Sequence, residues 1–448
     1  MADPRGFLTI ARRTAGYRPV LARVADHRDQ ALPSDHGLAG SQAGRCMDCG
    51  VPFCTSGCPL GNLIPDWNEL VRSGRWREAS ERLHATNNFP ELTGKLCPAP
   101  CEESCVLSLN DDPVTIKAIE LAIVDRAFAE GWVRPQPAAV RSGRSVAVIG
   151  SGPAGLAAAQ QLTRAGHDVT VFERDDAPGG LLRYGIPDFK LEKQLLDRRL
   201  EQLLAEGTRF ETGVDVGAAL DPIELRALFD AVVVATGAQR HRDLDLPGRH
   251  LAGVELAMPY LTARNRAVAG RPLAGAATAA GRRVVVLGGG DTSADCLGNA
   301  LREGALEVHE IAHGTEPPAA RDPQATWPAS PRVLRSHPVH EEGGSRRWRF
   351  ETSAFEGDGR VRRLRGQDGS AIDADLVLIS VGFSGVEADD PVYPGLEVRI
   401  EDGRVRGTPQ DVFAAGDCVL GADLIVSAIA EGRRAARDVE RRLAARAA

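Results

Sequence analysis

Seven cysteines fall between positions 46 and 105, at intervals that suit a metal centre. Four stand in the run Cys46-Met-Asp-Cys49-Gly-Val-Pro-Phe-Cys54-Thr-Ser-Gly-Cys58-Pro59, a C-x2-C-x4-C-x3-C-P spacing. It is near, but not identical to, the ferredoxin run that also ends in Cys-Pro. Three more follow in Cys97-Pro-Ala-Pro-Cys101-Glu-Glu-Ser-Cys105. Thiolates so spaced can wrap one centre from a single loop. Zinc favours two separated C-x2-C knuckles, and one C-x2-C is present here. Iron–sulfur ligation is therefore the favoured reading, with zinc and incidental thiols as the alternatives. Seven thiols are one short of two four-cysteine clusters, so either one cluster is incomplete or another residue ligates. A disulfide framework fits poorly, because nothing marks the chain as secreted. Cys296 and Cys418 read as small buried packing residues.

A second chemistry sits in the glycines. Val146-Ala-Val-Ile-Gly150-Ser-Gly152-Pro-Ala154-Gly155-Leu joins an apolar run to an Ala-rich helical pattern through G-x-G-x-x-G. The first glycine allows a tight turn, the second lets backbone approach a pyrophosphate, and the third lets helix pack on strand. The helix N-terminus presents free N–H groups to the anion. A second strand, Val169-Thr-Val-Phe172, ends at Glu173, where a ribose hydroxyl would be held. Val284-Val-Val-Leu-Gly288-Gly-Gly290-Asp291-Thr292-Ser293 repeats the device with Ser293 as the third small residue. Glu173 stands 23 residues after Gly150, and the same interval from Gly288 reaches Ile311, with no acid there or at His313. A missing acid favours NADP, whose extra phosphate needs a cation. His313 and Arg321 are the candidates; a solvated loop charge is the alternative for Arg321.

Other glycine turns follow buried runs. Gly179-Gly180-Leu181-Leu-Arg-Tyr184-Gly185-Ile-Pro187, then Lys190, makes a loop able to approach a flat ring. Asp230-Ala-Val-Val-Val-Ala-Thr236-Gly237 and Val412-Phe-Ala-Ala-Gly416-Asp417 are strand-to-turn junctions, the last well placed to hold ribityl or phosphate oxygens. The candidates to stand closest to such a ring are Tyr184, Gly185 and Lys190, in the loop 179–187 and just beyond it, and the segment 416–424. No Ser–His–Asp or Cys–His constellation stands out.

The elements that must carry these groups follow from pattern. The 448 residues allow about three domains. An apolar fraction of 43% and a charged fraction of 26% suit an ordinary globular chain, and a net charge of -7 disfavours a nucleic-acid surface. No apolar run reaches the ~18 residues of a membrane span, and positions 1–6 lack a signal-peptide core, so a cytoplasmic protein is expected. Residues 1–45 are a polar lead-in. Residues 60–83 read as amphipathic helix, 113–128 lead into another, and 131–145 read as linker. Residues 314–345, rich in Pro, Arg and His, read as a long irregular excursion, solvated in the favoured reading, with a positive face towards a phosphate or a partner as the alternative.

These motifs together resemble the small (β) subunits of bacterial NADPH-dependent glutamate synthases. The resemblance runs from Cys46 to the C-terminal helix and rests on CMDCGVPFC, CPAPCEESC, GGLLRYGIPDFKL, GGGDTSADCLGNAL and AAGDCVLGADLIVSAIAEGRRAA. Similar modules occur in the N-terminal part of dihydropyrimidine dehydrogenases. The resemblance implies an α/β fold in which a helical iron–sulfur domain (1–142) precedes two Rossmann-like domains. The NADPH domain (256–382) would be inserted in the FAD domain (143–255 and 383–448). It implies that Gly150, Gly152, Ala154, Gly155, Glu173, Gly180, Leu181, Thr236, Gly237, Gly416 and Asp417 serve FAD. Gly288, Gly290, Asp291, Thr292 and Ser293 would serve NADPH. Cys46, Cys49, Cys54 and Cys105 would hold one 4Fe–4S cluster. Cys58, Cys97 and Cys101 would hold another, with Glu120 as eighth ligand. Family members carry a basic residue near 313–315, absent here, and Thr55 replaces a frequent histidine, a change that bears on potential and not on ligation.

The implied activity is hydride transfer from NADPH to FAD N5, then single-electron flow through the clusters to a large (α) subunit. That partner would make two glutamates from glutamine and 2-oxoglutarate. This chain is not expected to do so alone, since residue 2 is Ala rather than the cysteine of such amidotransferases. The alternatives are the same module serving another acceptor, such as ferredoxin or a pyrimidine reductase, and a zinc-bearing docking module that no longer turns over.

Overall fold

A computed structural model describes residues 5–322, 324, 326–328 and 333–445. Two parallel five-stranded sheets organise it. In the first, the order is Val412–Ala414, Ala231–Val234, Ser145–Ile149, Asp168–Glu173, Arg209–Thr212. Ser145–Ile149 and Ala231–Val234 are nearly all buried. That is why they read as unbroken apolar runs: both faces are covered, one by the helices Pro153–Arg164 and Ile425–Ala445, the other by short helices and a hairpin around Val398 and Val405. The second sheet has the order Val254–Leu256, Leu376–Ile379, Arg283–Leu287, Glu307–Ile311, Ser345–Arg347. A three-stranded antiparallel sheet, Thr352–Asp358, Arg360–Gly366 and Ala371–Asp373, lies between its last strands in sequence.

The chain leaves the first sheet after Ala231–Val234 and returns with Val412–Ala414, so the second nucleotide-type unit is inserted in the first. The two crossings run side by side, Arg240–His241 pairing antiparallel with Phe383–Gly385. Val254–Leu256 already belongs to the inserted sheet and straddles the junction at 255/256. The last helix, Ile425–Ala445, packs on Pro153–Arg164 at Gly432, where a Cβ would run into the Ala154 carbonyl.

The cysteine-bearing part is helical, with His36–Ala43, Ile64–Arg72, Trp76–Thr86, Pro90–Leu96 and Ile116–Ala129 around Trp67, Leu83, Ile119 and Ile123. The amphipathic stretch 60–83 is two helices, because Gly74 (φ +76°) turns the chain between them. This domain is tied to the first sheet unit by a buried pair: Arg199 Nε and Nη2 donate to the Glu91 carboxylate at 2.7 and 2.6 Å. Val426 of the last helix reaches its core.

The excursion 314–345 is irregular and mostly exposed in its described residues up to 328, but it is anchored at particular side chains. Trp327 packs on Phe53 with ring centroids 4.4 Å apart, Arg335 donates to Glu103 at 2.6 Å, and Ser345–Arg347 is an edge strand. Trp327 and Arg335 have partners on the cysteine-bearing domain, while His337 and His340 pair within the inserted unit, and no local pattern announces these contacts. Residues 323, 325 and 329–332 of that stretch lie outside the described residues. Among the described residues no helix is long and apolar enough to cross a membrane.

Candidate functional site

The seven clustered cysteines fall into two neighbourhoods. Cys46, Cys49, Cys54 and Cys105 line one small cavity of about 20 Å3, walled by apolar residues such as Phe53, Ile64 and Leu107. Cys105 acts on each of Cys46, Cys49 and Cys54, and Cys54 also feels Cys46 and Cys49. Cys58, Cys97 and Cys101 form the second set, and Glu120 acts on all three. Burial pushes the Cys54 and Cys97 thiols up to about 12. Thiols so buried are inert unless a cation replaces the proton. Backbone N–H groups already aim at sulfur, Ala99 N donating to Cys97 Sγ at 3.4 Å. Glu120 Oε1 accepts from Asn87 Nδ2 and Thr93 Oγ1, both at 2.8 Å, yet burial still pushes its carboxyl up to about 7.

Among the described residues, no three His, Cys, Asp or Glu side chains meet where a single metal ion would fit. A cubane bonds each sulfur to a different iron corner, so its ligands stand further apart than those of one ion. The thiols of both sets supply the soft donors that such a group takes.

A much larger cavity, of about 1710 Å3, is lined by both glycine loops and by Cys97 of the second cysteine set. It exceeds the usual range for one small ligand. Gly150, Gly152, Ala154, Glu173, Gly180, Leu181, Thr236, Gly237 and Asp417 all line it. Gly150 has φ +102°, and a Cβ there would overlap the Ala235 carbonyl. Gly155 is buried behind the loop, where a Cβ would strike the Gly150 carbonyl. A Cβ on Gly152 would meet nothing within 4 Å, so that backbone is open to a phosphate. Glu173 is buried; it accepts from Ser151 N at 3.1 Å and from the Ser151 hydroxyl. Ser151 Oγ in turn accepts from Gly179 N at 2.8 Å, which draws the loop 179–187 over the glycine turn. Burial pushes Asp417 up to about 7. Gly416 (φ +79°) stands behind it against Ala154.

Tyr184 and Lys190 also line the cavity, while Gly185 packs on Leu181. The Tyr184 hydroxyl donates to Asp176, and burial followed by that carboxylate pushes it up to about 12. Lys190 pairs with buried Asp295 on the helix Asp291–Arg302. Phe189 enters the inserted unit's core, against Gly298. The loop from the first unit is thus pinned to the second.

Gly290 and Asp291 line the same cavity. Gly288 (φ +147°) would meet the Ser380 carbonyl with a Cβ, and Ser293 is buried behind it. Thr292 stands in the first turn of Asp291–Arg302. Arg321 reaches the cavity; His313 is exposed and is not among its lining residues. The sequence did not single out His337 or Lys117. His337 stands 3.4 Å from Asp291, and burial together with Lys190 holds its imidazole down at about 4. Lys117, whose ammonium is depressed by burial, feels Cys97, Glu102 and Asp291 at once. His337 lies in an irregular stretch and Lys117 one turn before Glu120, so no spacing signals either.

Residues 23–132 match the family described as dihydropyrimidine dehydrogenase domain II, 4Fe-4S cluster, and residues 144–432 match the pyridine nucleotide-disulphide oxidoreductase family. The chain is 53% identical to the glutamate synthase (NADPH) small chain of Mycobacterium tuberculosis, over 99% of this chain and 96% of that one. It is 41% identical to the corresponding chain of Bacillus subtilis, over 99% of each. Among solved structures, Mycobacterium tuberculosis FprA in complex with NADPH is similar at a TM-score of 0.51. That match has 20% identity over 67% of this chain and 85% of that one, a likeness of fold.

Proposed function

The chain belongs to the family of glutamate synthase small chains, and from that premise we propose that it is the electron-input chain of such an enzyme. It oxidises NADPH and passes the electrons through FAD and iron–sulfur to a large chain that makes glutamate from glutamine and 2-oxoglutarate. The observation that carries this reading is the single cavity lined by both glycine loops and by Cys97. FAD, when bound, takes electrons in pairs from a nicotinamide and gives them singly to iron–sulfur.

The protein's own part is binding, orientation and exclusion of water. The first loop fits a flavin dinucleotide: Gly150, Gly152, Ala154 and Gly155 leave backbone open to phosphates, and Glu173 offers a buried carboxylate to a ribose. Gly180, Leu181, Thr236, Gly237, Gly416 and Asp417 complete that site. Gly288, Gly290, Asp291, Thr292 and Ser293 hold the nicotinamide dinucleotide. Cys46, Cys49, Cys54 and Cys105 hold one 4Fe–4S cluster; Cys58, Cys97 and Cys101, with Glu120, hold a second. Cys97, which lines the cavity, supports this second set as the one that would face the flavin. Tyr184 and Lys190, fixed through Asp176 and Asp295, keep the covering loop against the inserted unit. The units are read as 1–142 for the clusters, 143–255 with 383–448 for FAD, and 256–382 for NADPH. A cytoplasmic place beside the large chain follows from this role.

An anaerobic titration of the purified chain with NADPH, and with NADH in parallel, tests the reading by visible absorbance. Bleaching of the flavin band by NADPH near the first equivalent is the expected outcome. Flavin that stays oxidised under both nucleotides would overturn it.

A further inference from the structure

We infer that Arg347 and Arg349 bind the 2′-phosphate of the dinucleotide, from the strand beside the site rather than from the turn after Glu307–Ile311. This rests on the reading of the second glycine loop as the NADPH site. In such units the adenosine ribose lies at the carboxyl end of the second strand, here Glu307–Ile311. The residues that follow, Ala312, His313, Gly314 and Thr315, carry no Arg or Lys. Glu310 is not free to hold a ribose diol: it is 2% exposed and is engaged by His340 at 2.9 Å and Arg346 at 3.3 Å.

The missing cations come from the neighbouring strand. Ser345–Arg347 runs parallel to Glu307–Ile311 with Arg347 opposite Ile311. The pairing continues past both strand ends. Ala312 N donates to the Arg347 carbonyl at 2.9 Å, Arg349 N to the Gly314 carbonyl at 2.9 Å, and Phe350 N to the Ala312 carbonyl at 3.4 Å. Arg347 and Arg349 are therefore fixed by backbone bonds beside the turn where the phosphate belongs. Arg349 holds a left-handed backbone (φ +59°), strain of the kind that gathers at ligand sites.

Trp348, between them, locates the segment against the glycine loop. A Cβ built on Gly289 would lie 3.6 Å from its ring, and Gly289 lines the cavity. Both guanidinium-bearing residues are exposed, and among the described residues neither forms an ion pair. Arg347 stacks 5.7 Å from the Phe350 ring, which covers one face of the guanidinium and leaves its N–H edge for a phosphate that would compete with nearby Asp368.

Calorimetric titration of the cofactor-loaded full chain with 2′,5′-ADP and with 5′-AMP tests this, since the two probes differ by the 2′-phosphate. The chain should prefer 2′,5′-ADP. Arg347→Ala with Arg349→Ala should weaken 2′,5′-ADP by about a hundredfold, roughly tenfold per charge-assisted contact. Binding of 5′-AMP should change by less than about twofold, since the adenosine contacts are untouched. Arg347→Lys with Arg349→Lys should recover part of the loss. Unchanged 2′,5′-ADP affinity in the double alanine variant would overturn the assignment while leaving the NADPH reading intact. A native chain that binds neither probe would overturn both. Equal affinity for the two probes would overturn the clamp alone.

Discussion

The two glycine loops use one backbone device in different settings. In both, the first glycine has positive φ, and a neighbouring strand's carbonyl stands where a Cβ would go: Ala235 for Gly150, Ser380 for Gly288. That requirement comes from the sheet and is the same twice. The third position differs. A Cβ on Gly155 would strike the Gly150 carbonyl, whereas Ser293 carries a whole hydroxymethyl group, its Oγ buried without a hydrogen-bond partner. The acid differs as well. Glu173 is buried and bonded to its loop through Ser151, while the second unit has no acid free at the equivalent strand end. The lesson is that turn geometry is set within the loop, while ligand preference is set by the strands around it.

Substitution at the third position should separate the loops most sharply. Gly155→Val forces side-chain carbon into a backbone carbonyl and should cost about 3 kcal/mol in denaturant unfolding, with loss of bound FAD. Retention of FAD at native stability would erase the distinction. Next comes Glu173→Gln, which keeps shape and removes charge. FAD affinity, read by fluorescence on reconstitution, should fall about tenfold, as for loss of a charge-assisted hydrogen bond. NADP affinity should not change.

A smaller effect concerns pH. The Asp417 carboxyl, buried beside the first loop, is raised from 3.8 to about 7, whereas Asp291 beside the second is exposed. Folded Asp417 keeps a proton that the unfolded chain releases. Its contribution thus favours folding below about pH 4 and is lost as pH rises towards 7. Asp417→Asn should flatten that part of the pH–stability curve of FAD-free protein; an unaltered slope between those limits would contradict it. Smallest of all, Ser293→Gly removes an unpartnered hydroxyl and should move stability by no more than about 1 kcal/mol, with NADP still bound. A large loss would mean that Ser293 does more than fill space.

Much of this was legible because it is local. Gly150, Gly288 and Gly416 sit at positive φ, which glycine adopts freely, so glycine after an apolar run reports a strand-to-turn junction from a few residues alone. The parallel strands announced themselves as apolar runs because both their faces are covered. The split of 60–83 at Gly74 was missed although the buried positions 64, 67 and 71 slip out of phase with 76, 79 and 83 across it. The anchoring of the excursion 314–345 was not legible because Trp327 and Arg335 find Phe53 and Glu103 more than 200 residues away in sequence. His337 was passed over for the same reason: its place beside Asp291 is a tertiary contact.

By itself, then, the sequence determined the thiol spacing, the glycine turns and the order of strand and helix, since each depends on the steric limits of neighbouring residues. Tertiary structure decided which groups share a space. Folding alone gathers the cysteines into two sets, brings Cys97 into the cavity with both loops, and lays Arg347 beside Ile311. The reason is physical: a backbone dihedral is fixed by its own residue, but burial, charge and reach are fixed by whatever distant chain packs alongside.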